Sequence, residues 1–185
     1  LGGDGMRAGA RGDASVEEAR ALIDSWPKQT QAAASAMIEK YGAPDEAGAR
    51  KLVWNNNGPW NRTVVHRENV GKAIEQSVEL QIPSEKFAMI AKLPGGVSAE
   101  RGKNELRASS DNEALNFLAV NLAQEVLTGK RAVGDARSFF KKTATLAATG
   151  KSSPYTSELL FKPDTSEKDV KEQDKKKDAR KKGAR

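Results

Sequence analysis

Two short apolar runs face each other across an Asn-Gly-Pro cluster in Leu52-Val-Trp-Asn-Asn-Asn-Gly-Pro-Trp-Asn-Arg-Thr-Val-Val-His66. A Trp stands at each shoulder. Asn and Gly supply the positive φ values that a tight connection between strands needs, so the segment predicts a β-hairpin. A hairpin here puts an antiparallel sheet at the centre of a chain that is otherwise rich in helical patterns.

Helices are expected on both sides of it. Val16, Ala19, Leu22 and Ile23 share a face, and Ser15-Val16-Glu17-Glu18 fits a capping box opening a helix to about Ser25. Trp26-Pro27 breaks it. A second helix spans roughly Lys28 to Tyr41, with Ala33, Met37, Ile38 and Tyr41 as its stripe and Gly42 at its end. Ala43-Pro44-Asp45-Glu46 reads as a turn. After the hairpin, Glu75–Ile82 alternates as a half-buried strand that Pro83 ends. Ser84 caps a short helix with Phe87, Ile90 and Ala91, stopped at Pro94-Gly95-Gly96. Val97–Arg101 and Glu105–Ala108 are two strands around Gly102, or one bulged strand.

Ser110-Asp111-Asn112-Glu113 is a second capping box, before a helix striped by Leu115, Leu118, Leu122 and Val126 and closed by Gly129. A last helix runs from about Val133 to Thr149, with Ala136, Phe139, Phe140, Thr143 and Ala147 on one face. Tyr155–Phe161 is either a short strand or a segment packed back on the core. The strand connections are too short for several parallel crossovers. The expected class is therefore α+β: a mostly antiparallel sheet of four to five strands, helices on one face, and two C-terminal helices.

Charge separates the termini from this domain. Residues 1–14 hold five Gly without apolar periodicity and read as a disordered leader; residues 15–161 form the domain. Residues 162–185 hold ten Lys/Arg against six Asp/Glu, a net +4 of the chain's +6, and read as a disordered charged tail. The domain itself is nearly neutral, so the high isoelectric point does not describe a basic binding face. Lys175, Lys176, Lys177, Arg180, Lys181 and Lys182 form a candidate anion-binding tail for nucleic acid or an anionic surface. The interspersed acids weaken its field, and a purely solubilising tail is the plainer reading. No transmembrane segment and no signal peptide are expected. The first residue is Leu1, not Met, so an earlier segment is expected.

Tyr41-Gly42-Ala43-Pro44-Asp45 followed by Leu52-Val53-Trp54 is similar to a pattern in small bacterial proteins of unassigned function. There a helix ends in a Gly-x-Pro-Asp turn and a Trp-bearing hairpin follows. The same order resembles the small outer-membrane lipoproteins of the SmpA/OmlA type, which act as assembly adaptors. The resemblance covers about residues 28–67. It implies a non-enzymatic role, with a periplasmic or envelope-associated place favoured over the cytoplasm. The helices at 111–149 have no counterpart in that lipoprotein type, and the chain has no Cys to accept lipid.

Catalytic signatures are sparse. Cysteine is absent, which removes disulfides, Cys-zinc sites and a Cys nucleophile. His66 is the only histidine; Asp45, Glu46 and Glu68 are near it in sequence but not at a motif spacing. Glu17-Glu18 suits a helix N-terminus better than acid–base work. Gly95-Gly96 and Gly129-Lys130-Arg131 lack the layout of phosphate-binding loops and read as helix ends. Asn61-Arg62-Thr63 is a sequon that reads as a chance match. No metal or cofactor is expected, and no enzymatic activity. An enzyme site, if one existed, would gather Asn55, Asn56, Asn57, Arg62 and His66.

The expected function is a small binding or adaptor module whose partner is another protein. Trp54, Asn56, Asn57, Trp60 and Arg62 are the candidate contact residues, because two Trp and an Arg on adjacent strands can form an exposed platform. Trp on a small sheet also serves as core; Trp60, next to the loop tip, is the better interface candidate. The alternative is a nucleic-acid-associated protein tethered by its tail.

Overall fold

The computed structural model describes residues 11–164. Helices α1 (Arg11–Ile23) and α2 (Lys28–Tyr41) come first, then strands β1 (Glu46–Ala47), β2 (Lys51–Asn57), β3 (Trp60–His66) and β4 (Ile74–Glu79). A 3-10 turn, Ser84–Lys86, leads into α3 (Phe87–Ile90). The chain continues through β5 (Ser98–Ala99), β6 (Glu105–Ser110), α4 (Glu113–Leu127), α5 (Val133–Ala148) and α6 (Pro154–Ser157). The six strands form one sheet in the order β1-β2-β3-β4-β6-β5, antiparallel at every pairing. The fold is α+β with helices on one face of an antiparallel sheet. Among the described residues, no helix is long and apolar enough to cross a membrane.

The hairpin forms where the sequence places it. Leu52 pairs with Val65, Trp54 with Thr63, and Asn57 closes on Trp60 across Gly58-Pro59. Gly58 has φ +58, and a Cβ there would come within 3.0 Å of the Tyr41 ring. The loop thus needs Gly for its backbone angle and for the close approach of α2. α2 begins after Pro27, whose carbonyl accepts from Gln31 N at 2.8 Å and from Thr30 Oγ1 at 3.1 Å. It ends at Gly42, φ +77, whose amide returns to Ile38 O at 2.8 Å.

Two apolar clusters lie on the covered face. One joins α1 and α2 to the hairpin side of the sheet through Ala19, Ile23, Ala34, Ile38, Leu52 and Val65. The other joins α4 to the far side through Val78, Leu106, Ala108, Phe117 and Val120. α4 is buried on two sides, because α5 packs on its back through Leu118, Leu122, Val126 and Ala136. The stripe that the sequence advertises, Leu115-Leu118-Leu122-Val126, faces α5. Phe117, Val120 and Ala123 face the sheet. Burial all round marks a helix enclosed between layers.

Several boundaries differ from expectation. α1 starts at Arg11, so residues 11–14 are helical and Ser15 lies inside the helix, not at its cap. Residues 1–10 of the expected leader and 165–185 of the expected tail lie outside the described residues. The Ala43–Glu46 turn ends in β1: Glu46 pairs with Val53, and the Asp45 side chain accepts from Asn55 N at 2.6 Å. β4 stops at Glu79. Ser84 makes no capping bond. The alternative of one bulged strand fails, since Gly102 turns the chain at φ +81 between β5 and β6. Residues 154–157 form α6, where Ser153 and Thr156 close a capping box behind Pro154. Beyond it, Asp164 is tied to the end of β4, its amide donating to Glu79 O at 2.9 Å and its carboxylate accepting from Gln81 N.

Candidate functional site

The two apolar clusters are separated by a buried polar seam. It runs across the sheet in a line of hydrogen bonds. Asn57 Nδ2 donates to Thr63 Oγ1 at 2.8 Å, and Gln76 Nε2 donates to the same oxygen at 3.2 Å. Asn116 Nδ2 donates to Gln76 Oε1 at 2.9 Å and to Ile74 O at 3.0 Å, and Ser110 Oγ donates to Asn116 Oδ1 at 2.7 Å. Polar groups out of water cost free energy unless paired, so such a network positions its members closely.

Glu113 is the centre of the seam. The capping box expected at Ser110–Glu113 is not formed as such. Asn112 caps α4, its Oδ1 accepting from Leu115 N at 3.0 Å, and Glu113 turns inward, 7 % exposed. The cause is a set of waiting donors. Glu113 Oε2 accepts from Tyr41 OH at 2.8 Å, Gln76 Nε2 at 2.9 Å and Trp60 Nε1 at 3.3 Å. Oε1 accepts from the Lys40 ammonium. A carboxylate offers about four acceptor positions, two on each oxygen; Oε2 is crowded by three donors and Oε1 takes one. Burial, then the bond to Glu113, pushes the Tyr41 phenol well above its ordinary range.

Beside the seam, a groove of about 600 Å³ opens between α2 and α4. Ala32, Ala33, Ala36 and Met37 form the α2 wall, Ala114 and Phe117 the α4 wall, and Ile74 part of the floor. Lys40 and Glu113 stand in its lining, with Asp111 and Asn112 at the start of α4. Thr156 and Ser157 complete it. The Lys40 ammonium lies 5.3 Å from the Tyr41 ring centre and 5.5 Å from that of Phe117. Phe117 in turn packs on Trp60, ring centres 4.8 Å apart. This volume is in the range of small-ligand pockets.

The hairpin residues fall elsewhere. Trp54 is 2 % exposed and Trp60 1 %, so both indoles are core anchors and no exposed aromatic platform is formed. The physical reason is that each N–H finds an interior acceptor, Gly42 O for Trp54 at 3.1 Å and Glu113 for Trp60. Asn57 is buried on Thr63, while Asn56, at φ +50, is exposed. Arg62 is exposed on the uncovered face, in a polar hollow of about 290 Å³ with Glu75, Ser77, Lys103, Glu105 and Arg107. His66 pairs with Lys51 at the opposite end of the hairpin from the loop, so Asn55, Asn56, Asn57, Arg62 and His66 are not gathered into one site. The tail residues Lys175, Lys176, Lys177, Arg180, Lys181 and Lys182 lie outside the described residues. Among the described residues, no group of three or more His, Asp or Glu is placed to hold a metal ion.

Sequence reasoning missed Lys40, Tyr41, Gln76 and Glu113 as a unit. One signal was present: Glu113, Asn116, Phe117 and Val120 fall at helical spacing on a second stripe of α4, which puts Glu113 on the sheet side. No protein-family model matches the chain, and neither a curated protein nor a solved structure does.

Proposed function

We propose that this chain is a non-enzymatic binding or adaptor module, and that its contact is made in the groove between α2 and α4. The observation that carries this reading is the groove itself: walls of small apolar side chains beside a carboxylate held in place by donors of the core. Glu113 has donors on both oxygens, and three of them, Tyr41, Trp60 and Gln76, are built into the core. Glu113 serves as a clasp that fixes the α4 wall against α2 and the sheet. The hairpin supports the site from behind through Trp60 and through Gly58 under Tyr41. The envelope placement and the protein partner implied by the SmpA/OmlA resemblance belong to this proposal.

The test is affinity capture from the native host with three versions of the chain. Ala36→Trp fills the groove from an exposed position of α2. Arg62→Ala alters the opposite face. Loss of the captured partner in Ala36→Trp and its retention in Arg62→Ala is the expected result; the reverse returns the contact to the hairpin side. The basic composition of residues 165–185 favours the second reading, nucleic-acid association. Capture that disappears with nuclease, or with a chain ending at Asp164, would establish it.

A further inference from the structure

The end of the groove already holds an ammonium group, that of Lys40. It rests on a buried carboxylate, with the rings of Tyr41 and Phe117 on either hand. Carboxylate plus aromatic faces is the chemistry that recognises organic cations. Two features make this arrangement a receptor as well as an ion pair. First, Lys40 comes from the rim: its side chain is 50 % exposed, whereas that of Glu113 is 8 % exposed. The Lys40 stem reaches in from solvent, so the ammonium can leave Glu113 for water at the rim, whereas the carboxylate cannot follow it. Second, the carboxylate stays in place without Lys40. Oε2 is held by Tyr41, Gln76 and Trp60, leaving Oε1 as the oxygen that Lys40 takes. A cation from solution would meet a prearranged site, the condition under which little binding energy is lost to reorganisation.

We propose that the α2–α4 groove takes a small alkylammonium ligand, its apolar body along Ala33, Ala36 and Ala114 and its head on Glu113 in place of Lys40. The charge of the lining agrees. With Lys40 turned outward, the groove retains Asp111 and Glu113 and, among the described residues, no cation. An anion would meet both carboxylates, and a neutral ligand that displaced Lys40 would leave the buried carboxylate without a counter-charge. The inference rests on the groove being the contact site, and it names the chemistry a partner must present there, an ammonium on an apolar stem, of which a small alkylammonium is the minimal form.

Three probes with the same six-carbon body separate the possibilities: hexylammonium, hexanol and hexanoate, each titrated into the full chain while backbone amide shifts are followed. Hexylammonium should move the amides of Ala33, Ala36 and Phe117, and bind about tenfold more tightly than hexanol, the value of one charge-assisted contact. Hexanoate should leave them unmoved. Lys40→Met keeps the apolar stem but removes the resident cation. It should tighten hexylammonium about fivefold and leave hexanol unchanged, a gain that removal of a purely structural ion pair would not produce. Equal binding of hexanol and hexylammonium would overturn the cation assignment while leaving the groove as the contact site. Silence of all three probes at these amides would overturn it too, and the Ala36→Trp capture experiment would then decide the function on its own. Shifts that survive Ala36→Trp would place the binding outside the groove and overturn the assignment. The probe series uses the unaltered chain and does not depend on any variant folding.

Discussion

The two faces of the sheet treat charge in opposite ways. On the covered face, Glu113 is buried and each of its oxygens is accounted for by a named donor. On the open face, Arg107 pairs with Glu105 at 2.6 Å and with Glu100 at 3.4 Å, and Lys103 reaches Glu100 at 2.7 Å, all within reach of water. Inside, a missing partner leaves a charge or a dipole uncompensated. Outside, water substitutes for whatever is lost. Similar residue types are thus structural on one side of the sheet and nearly interchangeable on the other.

The largest effect expected from breaking this contrast is at its centre. Glu113→Ala strands the Tyr41 hydroxyl, the Trp60 N–H and the Gln76 amide together, and should cost about 3–5 kcal/mol in a urea unfolding experiment. A loss below about 1 kcal/mol would mean that the seam is no more demanding than the open face. Next comes Gly58→Ala, which must hold φ +58 and press on Tyr41; about 1–2 kcal/mol is expected from the same measurement. Tyr41→Phe removes one donor from Glu113 and should cost about 1–2 kcal/mol. Arg107→Ala should shift stability by no more than about 0.5–1 kcal/mol, and its effect should shrink in high salt.

Tyr41 also sharpens the comparison through pH. Its phenol is raised, first by burial and then by Glu113, so the folded state holds that proton more tightly than the unfolded chain does. The corresponding stability is fully present below the ordinary phenol pKa of about 10, and is lost as pH rises toward the higher folded value. Tyr155, also raised, chiefly by its bond to Glu125, changes in the same direction. The chain has these two tyrosines and no others. Phenolate absorbance of the folded protein should therefore be small at pH 10, and stability should fall above it. In Tyr41→Phe that alkaline fall should flatten; an unchanged slope would assign it to other groups.

Much of the fold is local in origin, and that part was legible. α2 spans Lys28–Tyr41 as its stripe and flanking Pro27 and Gly42 predict, and the hairpin follows from Asn, Gly and alternation. The site was not legible, for a physical reason. Glu113 and its donors Lys40, Tyr41, Trp60 and Gln76 lie 37 to 73 residues apart, and no local periodicity links them. The tetrad Ser110–Glu113 also satisfies a capping-box pattern, and that local rule gives a Glu at the third helical position a job on the surface. Here four tertiary donors outweigh one reciprocal capping bond. The Trp residues misled in a related way: large aromatic side chains at a loop serve an interface and a core equally well in sequence, and the acceptors that decide between them, Gly42 O and Glu113, become neighbours only on folding.

The strands at the margins of the sheet, β1 and β5, are each two residues long. Each covers only two residues of the longer strand beside it, Leu52 and Val53 of β2 and Leu106 and Arg107 of β6. A strand joining from another molecule would meet a step in the edge there, and could not keep one register along it. The short margins thus break up what would otherwise be two long, straight edges, and work against fibre-like self-association of the protein at high concentration.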